Sequence, residues 1–206
     1  MTPALPWLAA SYLLGAIPTS YLTGRVFRGI DLREHGSRNL GATNLYRVLG
    51  WRYAVPVGLF DAAKGLVPVL VFAPQVSSSE LFALVCGVTA VLGHAFSVFV
   101  GFRGGKGVAT AAGVMLGLAP VALAAAAVVW AVLVYTTGYV SLGSIVAAAV
   151  FPLAVAVLEP PDQPLVLWLD VAVAAAIIWF HRGNIRRLLN GTENRFGRRA
   201  APAPRP

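Results

Sequence analysis

Charge is scarce in this sequence. Only 12% of its 206 residues are Asp, Glu, Lys or Arg, about half of the ~25% that a soluble domain uses to cover its surface. The apolar share of 58% excludes a disordered chain, which fails to fold because it has too little apolar surface to bury. A single cysteine, Cys86, excludes a disulfide scaffold and, lying within an apolar run, reads as inert packing. No group of Cys, His and acidic residues has metal-ligand spacing, so the sequence calls for neither a metal nor a cofactor. What remains is the composition of an integral membrane protein.

The charges that exist are unevenly placed. None occurs from Met1 to Gly24 or from Gly107 to Leu158. The second stretch is more than twice the ~20 residues a helix needs to cross the hydrocarbon, so it folds back on itself. The basic residues fall in Arg25–Arg52, Lys64, Arg103 with Lys106, and Arg182–Arg205, whereas the remaining connections carry only Glu80, Glu159 and Asp162. Six apolar segments lie between: Pro3–Leu22, Tyr53–Phe72, Leu81–Val100, Val108–Thr137, Val140–Leu158 and Pro164–Phe180. They do not alternate polar with apolar, so they read as helices rather than barrel strands. Lys and Arg favour the cytoplasmic side, and the first segment has no basic residue before it, so it is a retained span and not a secretory signal. If every basic cluster is cytoplasmic, an even number of crossings separates Lys106 from Arg182. Three segments are visible there, and a break at Pro120 within Val108–Thr137 restores the parity. The expectation is an all-α membrane protein of about seven helices, one of them short or partial, with the N-terminus outside and the C-terminus in the cytoplasm. Residues 1–194 form a single transmembrane domain, and the basic, Pro/Ala-rich tail 195–206 reads as disordered.

Three polar stretches share a character rich in glycine, amides and cations. In Asp31–Arg47, Gly36 and Gly41 permit close backbone approach, Ser37, Asn39, Thr43 and Asn44 offer neutral hydrogen bonds, and Arg38 and Arg47 can fork onto phosphate. The alternative is a polar loop that only obeys the positive-inside rule. In Gly101–Thr110, glycines 104, 105 and 107 leave backbone N–H groups bare ahead of a helix, and Lys106 adds a full charge. Together these form an anion cradle, although the loop lacks Walker spacing; a flexible turn is the alternative. In His181–Glu193, His181 and Asn184 share a helix face; a lone histidine where a helix leaves the membrane serves as an anchor or as a catalyst. Glu193 reads as a salt-bridge partner for its cationic neighbours. Asp61 and Lys64 sit i, i+3 in an apolar helix and read as a mutual pair. His94 caps or packs beside the glycine loop. Ser141 and Ser144 lie near the cytoplasmic end of the sixth helix, where serines commonly bond their own backbone.

These stretches resemble the acyl-phosphate:glycerol-3-phosphate acyltransferases, the PlsY family of bacterial membranes. The matches are Asp31-Leu-Arg…Gly-Ser-x-Asn-Leu-Gly-Ala-Thr-Asn-x-x-Arg47, Gly93-His94…Gly-Phe-x-Gly-Gly-Lys-Gly-Val-Ala-Thr110, and His181-x-x-Asn184-x-x-Arg-Leu…Gly191-x-Glu193. They recur in the family's order and the resemblance runs from Gly15 to about Phe196. Arg38 departs from a usual glycine, and Ala95 and Ser97 replace the residues typical after Gly93-His94.

The resemblance implies acyl transfer from acyl phosphate to the 1-hydroxyl of glycerol 3-phosphate, giving lysophosphatidic acid and inorganic phosphate during phospholipid biosynthesis. Gly104, Gly105, Lys106 and Gly107 are expected to hold the acyl phosphate. Ser37, Asn44, Arg47, Ser144, His181 and Asn184 are expected around glycerol 3-phosphate, with Lys106, His181, Asn184 and Ser37 as the catalytic set. Either His181 or the substrate's own phosphate takes the hydroxyl proton. No histidine has an aspartate four or five residues beyond it, so the His-x4-Asp pairing of another class of glycerolipid acyltransferases is absent. The expected partners are the two substrates and the bilayer of the bacterial inner membrane, with the site facing the cytoplasm, no metal, no nucleic acid, and a monomeric chain. The competing reading is a small transporter for phosphorylated metabolites. Transporters place polar ligands near mid-membrane, often within repeated halves, and no repeat is present.

Overall fold

The chain is described by a computed structural model over residues 3–196; most of the tail read as disordered lies outside the described residues. Among the described residues ten α-helices follow in order: α1 Ala4–Ala16, α2 Thr19–Arg28, α3 Ala42–Leu49, α4 Trp51–Val67, α5 Glu80–Ala95, α6 Val108–Leu118, α7 Pro120–Thr137, α8 Val140–Leu158, α9 Pro164–Phe180 and α10 Arg182–Leu189. Beyond Val67 the α4 helix continues through a widened turn at Pro68–Phe72 and a tightened one to Gln75. The widening starts at a proline, which supplies no N–H to the ladder. No strand occurs among the described residues.

Among the described residues, four helices are long and apolar enough to cross a membrane: Trp51–Gln75, Glu80–Val100, Pro120–Thr137 and Val140–Leu158. A fifth is added if α9 and α10, bent by 55° at His181, count as one span. Helices α1 and α6 are apolar but shorter. The break expected at Pro120 is present, with α6 ending at Leu118 and α7 beginning on the proline. The first segment, by contrast, is not one helix over Pro3–Leu22. Pro18 stops α1 at Ala16, and α2 restarts at Thr19 as an amphipathic helix closed by Arg25 and Arg28.

Packing relies on small residues, as is common where lipid offers no hydrophobic drive between helices. On α1 and α5, Gly15 lies against the Ala90 backbone and Gly93 against that of Tyr12; on α4 and α6, Gly65 meets Thr110 and Gly113 meets Ala62. A Cβ at any of the four would strike backbone. The main apolar core joins α5 to α9 around Leu84, Val114, Ala122, Val155 and Val166, all at most 2% exposed. A second cluster of Leu32, Leu40, Leu45, Val57 and Val100 holds the loop before α3 onto α4.

Between these layers lies a buried polar knot. Lys64 Nζ is 2.8 Å from Asp61 Oδ1, which also accepts from Thr19 Oγ1 at 2.7 Å. Lys64 donates in addition to the Ile17 carbonyl at 2.9 Å, a group released by the stop at Pro18. The expected pairing is present, and it spans the kink.

Candidate functional site

One cavity of about 400 Å³ runs between the helices, within the usual size range for ligand pockets. Its polar end collects all three stretches singled out in the sequence. Ser37, Asn44 and Arg47 come from the α3 region, Lys106 and Gly107 from the glycine loop, Ser141 and Ser144 from the start of α8, and His181, Asn184 and Glu193 from the junction beyond α9. The rest of the lining is largely apolar and comes mainly from α6 to α9, including Ala111, Met115, Ala126, Phe151 and Val173, with Asp61, His94 and Asp170 as further polar groups on the wall.

A chain of hydrogen bonds ties the polar end together. Lys106 Nζ donates to Asn184 Oδ1. Asn184 Nδ2 donates to Glu193 Oε1 at 2.7 Å, the same oxygen that accepts from Ser141 Oγ at 2.9 Å. Arg187 Nε reaches the other oxygen of Glu193 at 2.8 Å. Glu193 is thus the ion-pair partner expected from its cationic surroundings, and it also orients Asn184. Its role as the hub had one signal in the sequence: it is the only acid in that basic stretch. Burial pushes the Lys106 ammonium down to about 8, with Glu193 pulling it up and Arg187 and Arg47 pushing it further down.

His181 is 3% exposed. Its Nδ1 lies 2.8 Å from the Ile177 carbonyl, an acceptor only, so Nδ1 carries the proton and the neutral ring presents a bare Nε2 lone pair. Burial and the neighbouring Lys106 push its pKa down to about 4, against smaller upward contributions from the Ile177 hydrogen bond and Glu193. Arg47 is 9% exposed and donates to the Asn194 carbonyl at 3.4 Å, while its Nε is buried with no hydrogen-bond partner among the described residues. A buried guanidinium with an unused donor is a site waiting for an acceptor.

Asn44 holds the loop together. It accepts from the Ser37 N–H at 2.7 Å and donates to the carbonyls of His35 at 3.0 Å, Asn39 at 3.1 Å and Leu32 at 3.3 Å. Ser144 donates to the Val140 carbonyl at 2.9 Å, the helix back-bonding expected, and Trp130 Nε1 donates to Ser144 Oγ at 3.3 Å. Ser141 does not back-bond, because Glu193 captures it.

The glycine loop departs from expectation. The Gly104 N–H donates to the Ala95 carbonyl at 3.0 Å and the Gly105 N–H to the His94 carbonyl at 3.1 Å, so neither is bare, and neither glycine lines the cavity. Their lack of a side chain serves packing: a Cβ on Gly104 would strike the His94 carbonyl, and one on Gly105 the His94 ring. The unpaired donors instead belong to the first turn of α6, which no side chain caps. Gly107, Val108 and Ala109 of that turn do line the cavity. The cradle therefore sits slightly further along the chain. Arg38 is exposed and lies outside the cavity, with a left-handed φ of 60°.

Known proteins share this sequence and fold. The family model described as glycerol-3-phosphate acyltransferase matches residues 5–191. The chain belongs to this enzyme family. It is 47% identical to the glycerol-3-phosphate acyltransferase of Geobacter sulfurreducens over 91% of this chain and 95% of that one. The enzyme of that name from Trichlorobacter lovleyi is 48% identical, covering 95% and 99% respectively. The fold matches the crystal structure of PlsY (YgiH), an integral membrane glycerol 3-phosphate acyltransferase, in its glycerol 3-phosphate form. That match has a TM-score of 0.87 and 40% identity, and covers 94% of this chain and 96% of that one. The lysophosphatidic acid form of the same protein matches at a TM-score of 0.84 and 39% identity, over 94% and 95%. The family fold is multi-pass and membrane-embedded, in keeping with the apolar helices here.

Proposed function

We propose that this glycerol-3-phosphate acyltransferase takes its acyl group from an acyl phosphate and delivers it to the 1-hydroxyl of glycerol 3-phosphate, releasing lysophosphatidic acid and inorganic phosphate. The observation that carries this reading is a cavity whose cationic, amide-lined end opens into an apolar interior. A fatty acyl phosphate has the same two halves.

Lys106 and the first-turn amides of α6, Gly107 to Ala109, hold the acyl phosphate and stabilise the charge that builds on the leaving phosphate. Arg47 and Ser37 hold the glycerol phosphate, with Asn44 positioning Ser37 and Ser144 completing the wall. The substrate hydroxyl oxygen attacks the carbonyl carbon while His181 Nε2 takes the hydroxyl proton. The new ester C–O bond forms as the bond from carbonyl carbon to phosphate oxygen breaks, and inorganic phosphate leaves with the electron pair. Two phosphate dianions beside the ring raise its basicity from the low value of the free site. Asn184 keeps Lys106 and Glu193 in register. Because an acyl phosphate is already activated, holding two anions together is most of the task, and proximity and orientation alone can be worth roughly 7–11 kcal/mol. A transporter would gather its polar groups near mid-membrane.

The apolar helices α1 and α4 to α9 act as seven spans in the bacterial inner membrane, with the N-terminus outside and the basic stretches and the catalytic end in the cytoplasm. The acyl chain enters between helices from the bilayer. The expected site residues of one chain converge on one cavity, which supports a monomeric enzyme, and the acyl phosphate's own activation leaves no step that calls for a metal. Incubating purified protein with glycerol 3-phosphate and either palmitoyl phosphate or palmitoyl-CoA tests the donor. Lysophosphatidic acid and stoichiometric phosphate are expected from the first, and product from the thioester alone overturns the assignment.

A further inference from the structure

The apolar part of the cavity ends on an acid. Helices α6 to α9 run alternately away from and back towards the polar end, and the lining residues farthest from that end are Met115 on α6, Leu123 on α7, Phe151 on α8 and Asp170 on α9. These four form a floor. On α9 the lining residues Asp170, Val173, Ala174, Ile177 and His181 follow a single helix face. Asp170 therefore lies eleven residues before His181, about 16 Å along the helix at 1.5 Å per residue. That distance is about half of the ~30 Å hydrocarbon core, the depth of one leaflet's acyl chains.

Asp170 is 4% exposed. It lines the cavity and takes part in none of the ion pairs found among the described residues. A carboxyl group buried on the apolar part of a cavity wall, with the Glu80 carboxylate near enough to act on it, is costly in either protonation state, and an ionisable residue within a membrane helix is a candidate for function. Neither the polar end nor the Asp61–Lys64 knot uses it.

We infer that Asp170 sets the upper limit on acyl-chain length, ending the apolar slot with a polar floor that a chain terminus cannot cover. The inference rests on the acyltransferase reading, because it takes the cavity as the seat of the acyl chain. A chain that stops short of the floor leaves room for water around the carboxyl group. A chain about as long as a leaflet is deep just reaches it. Any longer chain must press methyl and methylene groups onto the carboxyl oxygens and displace that water without replacing its hydrogen bonds. The other three floor residues are apolar, so Asp170 is the group that makes a longer chain unfavourable.

The test is a chain-length series of lauroyl, palmitoyl and stearoyl phosphate with saturating glycerol 3-phosphate, on the wild-type enzyme, Asp170→Ala and Asp170→Asn. In the wild type, kcat/KM falls from palmitoyl to stearoyl phosphate. In Asp170→Ala the ratio of stearoyl to palmitoyl kcat/KM rises about tenfold, the lower end of what one methylene is worth in an apolar pocket. In Asp170→Asn, which keeps the polar floor, the ratio stays at the wild-type value. An unchanged ratio in Asp170→Ala overturns the proposal; should that variant not fold, Asp170→Val is read against the same criterion. If the wild type uses acyl-CoA instead, the donor assignment has failed, and the same series of thioesters still reads the floor. The two failures are therefore distinct results.

Discussion

Lys106 and Asn184 meet across the polar end of the cavity, the lysine ammonium donating to the amide oxygen whose own NH2 group is committed to Glu193. The lysine comes from the loop before α6 and the asparagine from α10, so the contact closes the gap between two stretches 78 residues apart. Because Asn184 is anchored from behind, it holds the charge of Lys106 in place while leaving two of the three ammonium protons for phosphate. Lys106→Met keeps an unbranched side chain of nearly the same length and removes the charge together with the hydrogen bond to Asn184. The protein is expected to insert and fold normally, and kcat/KM to fall about 100-fold or more, as when one preorganised transition-state donor is lost. Steady-state kinetics on purified protein, with melting temperature as the folding control, check it. Wild-type turnover in the variant sinks the clamp.

The same lysine predicts a pH limb. Only its protonated form holds phosphate, and burial has pushed its pKa down to about 8. The clamp is therefore charged below that value and is lost as pH rises through it, so kcat/KM, which reports the free enzyme, falls above about pH 8. His181 contributes the opposite limb, losing its base function as pH drops through about 4. Glu193 raises the Lys106 pKa, so Glu193→Gln moves the alkaline limb to lower pH. It also loosens Ser141, Asn184 and Arg187 and lowers the rate up to about 100-fold through misplacement. A structural role alone would lower the rate and leave the limb where it was.

Much of this arrangement can be read from the amino-acid sequence, for reasons that differ by residue. In an apolar environment the backbone must bond within its own segment, so the limits of α8 and α9 coincide with the apolar segments Val140–Leu158 and Pro164–Phe180, and Pro120 divides α6 from α7. The spacing of Asp61 and Lys64 foretold their pairing because an isolated charge there is too costly. Pro18 lies in a stretch, Met1–Gly24, that carries no charge and so reads as one span, and the carbonyl its break exposes is satisfied from a distant helix by Lys64. The glycine loop misled because glycine signals both a bare amide and a close contact. At Gly104 and Gly105 the neighbouring α5 carbonyls decide for contact, which only the tertiary fold determines. Asp170 was invisible for a related reason: its distance from the polar end matters only once α6 to α9 stand side by side.

Arg38 stands at a left-handed φ of 60°, where the family resemblance leads one to expect glycine. A side chain in that conformation costs roughly 1–2 kcal/mol, partly offset by the freedom glycine would gain in the unfolded chain. Arg38 is exposed and outside the cavity. Arg38→Gly is therefore expected to stabilise the protein by up to about 1 kcal/mol and to leave kcat and both KM values unchanged. A thermal melt in detergent beside a standard assay tests both halves. A rise in KM for glycerol 3-phosphate would return this arginine to the phosphate site.

The proposed orientation makes a prediction for chemical labelling. Cys86 is fully buried, so the wild-type chain is a blank for a membrane-impermeant maleimide. Arg28, Arg103 and Arg186 are exposed and represent the three basic stretches, whereas Ser78 and Asp162 are exposed in the connections without basic residues. In intact cells, Ser78→Cys and Asp162→Cys should label, while Arg28→Cys, Arg103→Cys and Arg186→Cys should label only after permeabilisation. The basic positions must behave alike, because Arg47, Lys106 and Asn184 share one cavity and the stretches that carry them leave the membrane on the same side. Labelling of one basic position from outside would break the seven-span count, since the number of crossings between that stretch and the others would become odd. It would also place the catalytic end away from the leaflet in which positive charge is retained.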